Sequence, residues 1–156
     1  MNHFSQLALA VTLLATSALV PGCEATETKA CTMMGCQSGF GVAFQTASWP
    51  TGTWKVIAQT PTGERVCTVA LPLPSDGQPQ CTGQLQLGTS GSALAPAQHA
   101  LSGVQLPDTP TSVTLAVLRD GKSVAKKTFA PVYKTTQPNG AGCEPTCTQA
   151  NEVLTW

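Results

Sequence analysis

The chain has 156 residues, 42% of them hydrophobic and only 10% charged, with 8 basic residues balancing 8 acidic ones. A nucleic-acid binder would carry a basic surplus or stripe, and this sequence has neither; its one basic doublet, Lys126-Lys127, reads as a solvated strand edge. Once an N-terminal leader of 22 residues is set aside, 134 residues (156 less 22) remain, enough for one packed core and one domain.

The chain opens with an uncharged apolar run from Leu7 to Val20, interrupted only by Thr12, Thr16 and Ser17. Its 14 residues suit the apolar region of a secretory signal and fall short of the roughly 20 needed to span a bilayer. The run ends in Leu19-Val20-Pro21-Gly22-Cys23. That segment resembles the lipobox of bacterial lipoproteins, although Pro21 stands where the family prefers Ala, Ser or Thr. The resemblance implies a signal peptide over 1–22, cleavage before Cys23, lipid on the Cys23 thiol, and a membrane as partner. The expected location is outside the cytoplasm, lipid-anchored to the cell envelope, with the outer membrane as the expected site. A conventional secretory signal that happens to end near a cysteine is the plainer alternative. Residues 23–30 continue as Glu-Ala-Thr-Glu-Thr-Lys-Ala after Cys23, polar and without large apolar side chains, and read as a tether to a domain spanning 31–156.

Six cysteines follow Cys23: Cys31, Cys36, Cys67, Cys81, Cys143 and Cys147. An even number in an exported chain points to disulfides. A zinc site built from Cys31, Cys36, Cys143 and Cys147 is the competing reading, with looser spacing than structural zinc prefers. Cys67 and Cys81 flank a loop rich in Pro and Gly and are expected to pair, closing a loop worth roughly 3 kcal/mol. A bridge within Cys31/Cys36 or Cys143/Cys147 would close only a tiny loop. Joining one cluster to the other constrains the unfolded chain by roughly 4 to 5 kcal/mol, so cross-pairing is expected, in an order the sequence leaves open.

Between the cysteines the pattern is that of β-strands. Gly39–Thr46 alternates Phe40, Val42 and Phe44 with small or polar residues, and Trp54, Val56 and Ala58 repeat the period. Thr60-Pro61-Thr62-Gly63 is a turn, with a return strand over Val66–Leu71. Cys81, Leu85 and Leu87 alternate with Gln80, Thr82, Gln84 and Gln86 as one continuous strand, and Leu101–Leu106 is a weaker one. Val113, Leu115 and Val117 lead into Asp120-Gly121, a strong hairpin signal, with a return limb over Ser123–Ala130. Asn151–Trp156 would close the domain, and loops are expected over Pro72–Pro79, Gly88–Pro96 and Gln137–Pro145. No stretch has helical spacing with caps, and the 12 prolines and 14 glycines would interrupt most helices. Seven or eight short strands imply an all-β fold of two antiparallel sheets packed face to face.

The segment carrying Arg119-Asp120-Gly121, Phe129-Ala130-Pro131-Val132-Tyr133 and Pro138-Asn139-Gly140-Ala141-Gly142-Cys143-Glu144-Pro145-Thr146-Cys147 resembles the small cysteine-containing lipoproteins of myxobacterial type. That resemblance covers under half of the domain; it implies an immunoglobulin-like sandwich and no assigned chemistry.

Catalytic patterns are weak. Gly88-Thr89-Ser90-Gly91-Ser92 departs from Gly-x-Ser-x-Gly at its last position and lacks a strand-turn-helix context. A triad of Ser90, His99 and Asp108 can be written, but the acids are scattered and His99 is the only histidine after the leader, which offers little for acid-base or metal chemistry. No enzyme activity, cofactor or metal is therefore expected. Trp49 and Trp54 are candidates for ligand contact through stacking, against the simpler reading that Trp54 fills the core and Trp49 seals a loop. Trp156 resembles the terminal aromatic of outer-membrane β-barrels, but Glu152 breaks that pattern and Trp156 is expected to close the last strand. The favoured function is a non-enzymatic envelope lipoprotein with a structural or interaction role. A carbohydrate- or peptidoglycan-binding module using Trp49 together with Trp54 is the first alternative, and a secreted hydrolase the last. An envelope protein or a glycan is the expected partner.

Overall fold

The computed structural model describes residues 29–74 and 78–156. The expected signal, Cys23 and the tether as far as residue 28 lie outside the described residues. From Cys31 to Trp156 the chain is one compact unit. Its strands are β1 (Gly39–Gln45), β2 (Gly52–Thr60), β3 (Gly63–Leu71), β4 (Gln80–Cys81), β5 (Gln86–Ser90), β6 (Ala100–Leu106), β7 (Val113–Arg119), β8 (Lys122–Phe129), β9 (Lys134–Thr136) and β10 (Cys147–Thr155). They form two five-stranded sheets, ordered β5-β6-β1-β10-β9 and β4-β3-β2-β7-β8. A single 3₁₀ turn, Pro96–Gln98, is the only helical element among the described residues.

The inward parity of each strand builds the core. Phe40 and Val42 of β1, Trp54, Val56 and Ala58 of β2, and Val113, Leu115 and Val117 of β7 are all buried, as the period-two pattern requires. Leu101, Val104 and Leu106 of β6 complete the facing layer, and Phe40 meets Phe129 with ring centroids 5.7 Å apart. The chain is thus an all-β sandwich.

Both main hairpins follow from local turn chemistry. Asp120 (φ 50°) and Gly121 (φ 78°) are both left-handed, the requirement of a two-residue hairpin turn that matches strand twist. The Asp120 carboxylate accepts the Thr53 N–H at 2.8 Å, and the Asp120 N–H donates to the Thr53 carbonyl at 2.8 Å, so the turn is fastened to the start of β2. At the β2–β3 turn the Thr60 hydroxyl is buried and donates to the Gly63 carbonyl at 3.0 Å.

Four expectations are corrected. First, the strand expected from Gln80 through Leu87 is two strands in different sheets. Gly83 (φ 60°) and Gln84 (φ 62°) take successive left-handed conformations and turn the chain from β4 to β5, a switch that side-chain alternation cannot register. Second, the last strand starts at Cys147 rather than Asn151, and it pairs with a short exposed strand, β9, that has no apolar residue to announce it. This brings the strand count among the described residues to ten rather than seven or eight. Third, the loop expected from Gly88 starts later, because Gly88, Thr89 and Ser90 pair with β6 across a bulge. Fourth, the sheets are not wholly antiparallel: β1 lies parallel to β10, in register from Gly39/Gln149 to Gln45/Thr155.

One edge of the second sheet is β8, where Lys122, Lys126 and Lys127 stand in solvent. Lys127 also sits 4.7 Å over the Phe129 ring. Charges of this kind discourage pairing with another chain's strand.

Three disulfides brace the sandwich: Cys31–Cys143, Cys36–Cys147 and Cys67–Cys81. Cys67 and Cys81 lie directly opposite each other on β3 and β4, with Cα atoms 4.1 Å apart. The other two bridges join the terminal clusters crosswise and give the order that spacing left open. Between them sits Asn139, only 8% exposed. Its side-chain oxygen accepts from the Thr32 hydroxyl (2.6 Å) and the Met34 N–H (2.8 Å), while its NH₂ donates to the carbonyls of Met34 (3.0 Å) and Glu144 (2.5 Å).

Replacing Asn139 by Ala removes all four bonds and strands the backbone groups of Met34. Asn139→Ala is expected to lower stability by about 1–3 kcal/mol with all three disulfides intact, read as a shift in the urea unfolding midpoint.

Candidate functional site

The strands give the sandwich two distinct ends. β1 and β10 both run away from the disulfide clamp, so the clamp marks one end and the termini of these strands the other. At roughly 3.3 Å per residue the seven residues of β1 separate the two ends by about 20 Å.

The far end is aromatic. Trp54 is 2% exposed and its indole N–H donates to the Pro50 carbonyl at 3.0 Å. Trp49 packs edge-on against Trp54 (centroids 4.8 Å, 65°) and against Trp156 (5.3 Å, 88°), and Phe44 meets Trp156 at 5.6 Å. Edge-to-face contacts of this geometry suit the aromatic quadrupole. Trp54 therefore cannot contact a ligand, and its place among the candidate residues is corrected: burial on β2 makes it core. Trp49 is half-buried. It lines a groove of about 410 Å³ with Pro50, Thr51, Leu71, Pro72 and Pro96. Trp156 closes the aromatic end, and its N–H donates to the Gln45 carbonyl at 3.2 Å.

A second depression, of about 390 Å³, lies on the outer face of the first sheet. The paired residues Gln86, Gln105, Gly41 and Asn151 cross it as one row over four strands. A Cβ at Gly41 would meet Asn151 Oδ1 at 2.6 Å and Gln105 Oε1 at 2.7 Å, so the two amides occupy the space that the glycine leaves.

The residues of the written triad are not brought together. His99 is buried at the far end, where Nδ1 accepts the Leu73 N–H at 2.9 Å. Nε2 then carries the proton and faces the Leu94 carbonyl at 3.2 Å. Both ring nitrogens are thus committed to backbone, and His99 acts as a fastener for two loops. Asp108 lies past the other end of β6 and forms a two-point ion pair with Arg65, at 2.6 and 2.7 Å. The four cysteines weighed as zinc ligands are all consumed in disulfides.

The Arg65 hydrogen bonds hold the Asp108 carboxyl below its ordinary range, and Asp108 in turn raises Arg65. Tyr133, whose hydroxyl donates to the Pro110 carbonyl at 2.8 Å, is raised mainly by burial and secondarily by Asp108. These groups belong to the clamp end and stiffen its loops.

Comparison of the chain with known protein families, with characterised proteins and with solved structures returns no match.

Two outcomes follow from this geometry. Trp54→Ala is expected to cost about 3–5 kcal/mol in chemical unfolding, with Trp49→Ala costing less because part of that ring already faces water. Asp108→Asn should cost under about 1 kcal/mol at neutral pH, since the Asp108 side chain is 40% exposed. Because the folded Asp108 pKa is depressed, its contribution is present above the ordinary carboxylate value of 3.8 and is lost as pH falls through the folded value. Unfolding curves of the two proteins should therefore converge on acidification.

Proposed function

We propose that the chain is a non-enzymatic lipoprotein of the cell envelope, a tethered β-sandwich with a structural or interaction role. Three disulfides point to folding in an oxidising, extracytoplasmic compartment. The observation that carries the reading is the clamp: the first residues of the domain, Cys31 and Cys36, are covalently fixed to Cys143 and Cys147. A chain that hangs from lipid at Cys23 enters its domain at that point, and the clamp keeps the entry from fraying. Two or more acyl chains make release from a bilayer slow, so lipid at Cys23 would hold the domain stably.

The immunoglobulin-like character of the sandwich belongs to this proposal, as does anchoring in the outer membrane. The groove beside Trp49 favours a second reading, a glycan-binding module. A sugar face stacks well on an indole ring, and the residues named around the groove are uncharged, which suits a neutral polyol.

Detergent phase partitioning tests the anchor. The wild-type protein should enter the detergent phase, and Cys23→Ser should stay aqueous or remain uncleaved; equal partitioning of both rules the anchor out. For the second reading, intrinsic fluorescence should shift with cell-wall glycan and the shift should vanish in Trp49→Ala. No response to any glycan leaves the interaction role alone.

A further inference from the structure

The clamp does more than hold the chain entry. It displays the segment between its two N-terminal cysteines, Cys31-Thr32-Met33-Met34-Gly35-Cys36. Both ends of that segment are tied by disulfides, and its middle is pinned where Asn139 bonds both the N–H and the carbonyl of Met34. With Met34 held by its backbone, Met33 is 99% exposed and Met34 is 54% exposed. These are the only two methionines after the initiator, and they stand side by side in water on a rigid loop. Flexible, polarisable thioether side chains of this kind adapt to irregular apolar surroundings.

The position of the loop along the chain indicates what covers it. Cys31 lies eight positions after Cys23, a reach of at most about 28 Å even when fully extended. Lipid at Cys23 therefore confines the clamp end of the domain to the neighbourhood of the bilayer surface. The aromatic groove lies at the opposite end, about 20 Å away along β1. We infer that Met33 and Met34 form a membrane-facing contact, their side chains entering the interfacial region of the lipid bilayer that holds the anchor. This inference rests on the lipid-anchor reading of Cys23. The contact would orient the domain as well as confine it, with the Trp49 groove directed away from the bilayer.

Methionine oxidation supplies a direct readout, because peroxide converts an exposed thioether to its sulfoxide and spares one shielded by lipid. The full-length processed protein is incorporated into phosphatidylethanolamine/phosphatidylglycerol vesicles and treated with dilute peroxide. The Cys23→Ser protein is treated in parallel, with N-acetylmethionine amide in each tube as an internal reference. Partitioning is measured first: wild-type protein that does not stay with the vesicles overturns the anchor and this contact with it. With the anchor in place, Met33 is expected to oxidise about tenfold more slowly than the free reference, while in Cys23→Ser it matches the reference. Vesicle-bound protein whose Met33 oxidises at the reference rate overturns the contact and leaves the anchor standing. Protection in intact cells but not in pure lipid vesicles also overturns it, and assigns the loop to an envelope protein instead. Should Cys23→Ser fail to be exported, the comparison with the reference compound in the wild-type tube decides the matter alone.

Discussion

The constraint on which the rest of the structure depends is the parallel pairing of the first strand with the last. β1 occupies the centre of its sheet, flanked by β6 and β10, and its partner β10 begins more than 100 residues further along the chain. A contact so distant in sequence brings a large loop-closure entropy and little local help. The two crosswise disulfides, with sequence separations of 112 and 111, remove most of that entropy from the unfolded chain, by roughly 4 to 5 kcal/mol for a loop of this size. They do so just before β1 and at the start of β10, which sets the register of the pair. Asn139 contributes what sulfur cannot, because its amide satisfies the backbone groups that a strandless segment leaves open.

The opposite end solves the same problem without covalent help. There the chain leaves β1, crosses Trp49 and re-enters at β2, and β10 delivers Trp156 to the same place. Four aromatic rings, Phe44, Trp49, Trp54 and Trp156, replace disulfides as the means of closure. His99 adds two hydrogen bonds to backbone and holds the loops that surround the groove. No buried side-chain nitrogen or oxygen among the described residues lacks a partner. A sandwich with so few charged residues has little tolerance for one that did, since each such group costs about 1–3 kcal/mol.

Much of this was legible in the sequence because the signals involved are local. Phe40/Val42, Trp54/Val56/Ala58 and Val113/Leu115/Val117 show the period of two directly, and Asp120-Gly121 names its own turn. The pairing of terminal cysteine clusters followed from loop closure, which depends on spacing alone. Its order, Cys31 to Cys143 and Cys36 to Cys147, depends on where β1 and β10 lie in space. What stayed hidden was non-local or conformational. The left-handed pair Gly83-Gln84 breaks an alternation that reads as continuous, β9 has no apolar side chain to mark it, and a parallel partner leaves no trace in strand periodicity. In the candidate site, Trp49 was legible as a ring beside a proline, but the amide row of Gln86, Gln105 and Asn151 was not, because it exists only once four strands stand in register. Asn139 escaped notice for a related reason: an asparagine in a Pro/Gly-rich loop looks like turn chemistry.

The clamp also explains why the N-terminal segment can be irregular without weakening the domain. An edge strand at a chain terminus can fray at modest cost, but β1 is central, and fraying it would expose Phe40 and Val42 and unpair β6 and β10 together. Any pull or thermal motion transmitted along the chain before Cys31 would act first on that strand if nothing intervened. The disulfides divert the load into Cys143, on the segment leading into β10, and Cys147, the first residue of β10, before it reaches Gly39. The placement of two bridges within the eight residues that precede β1 is what a central strand at the start of a domain requires.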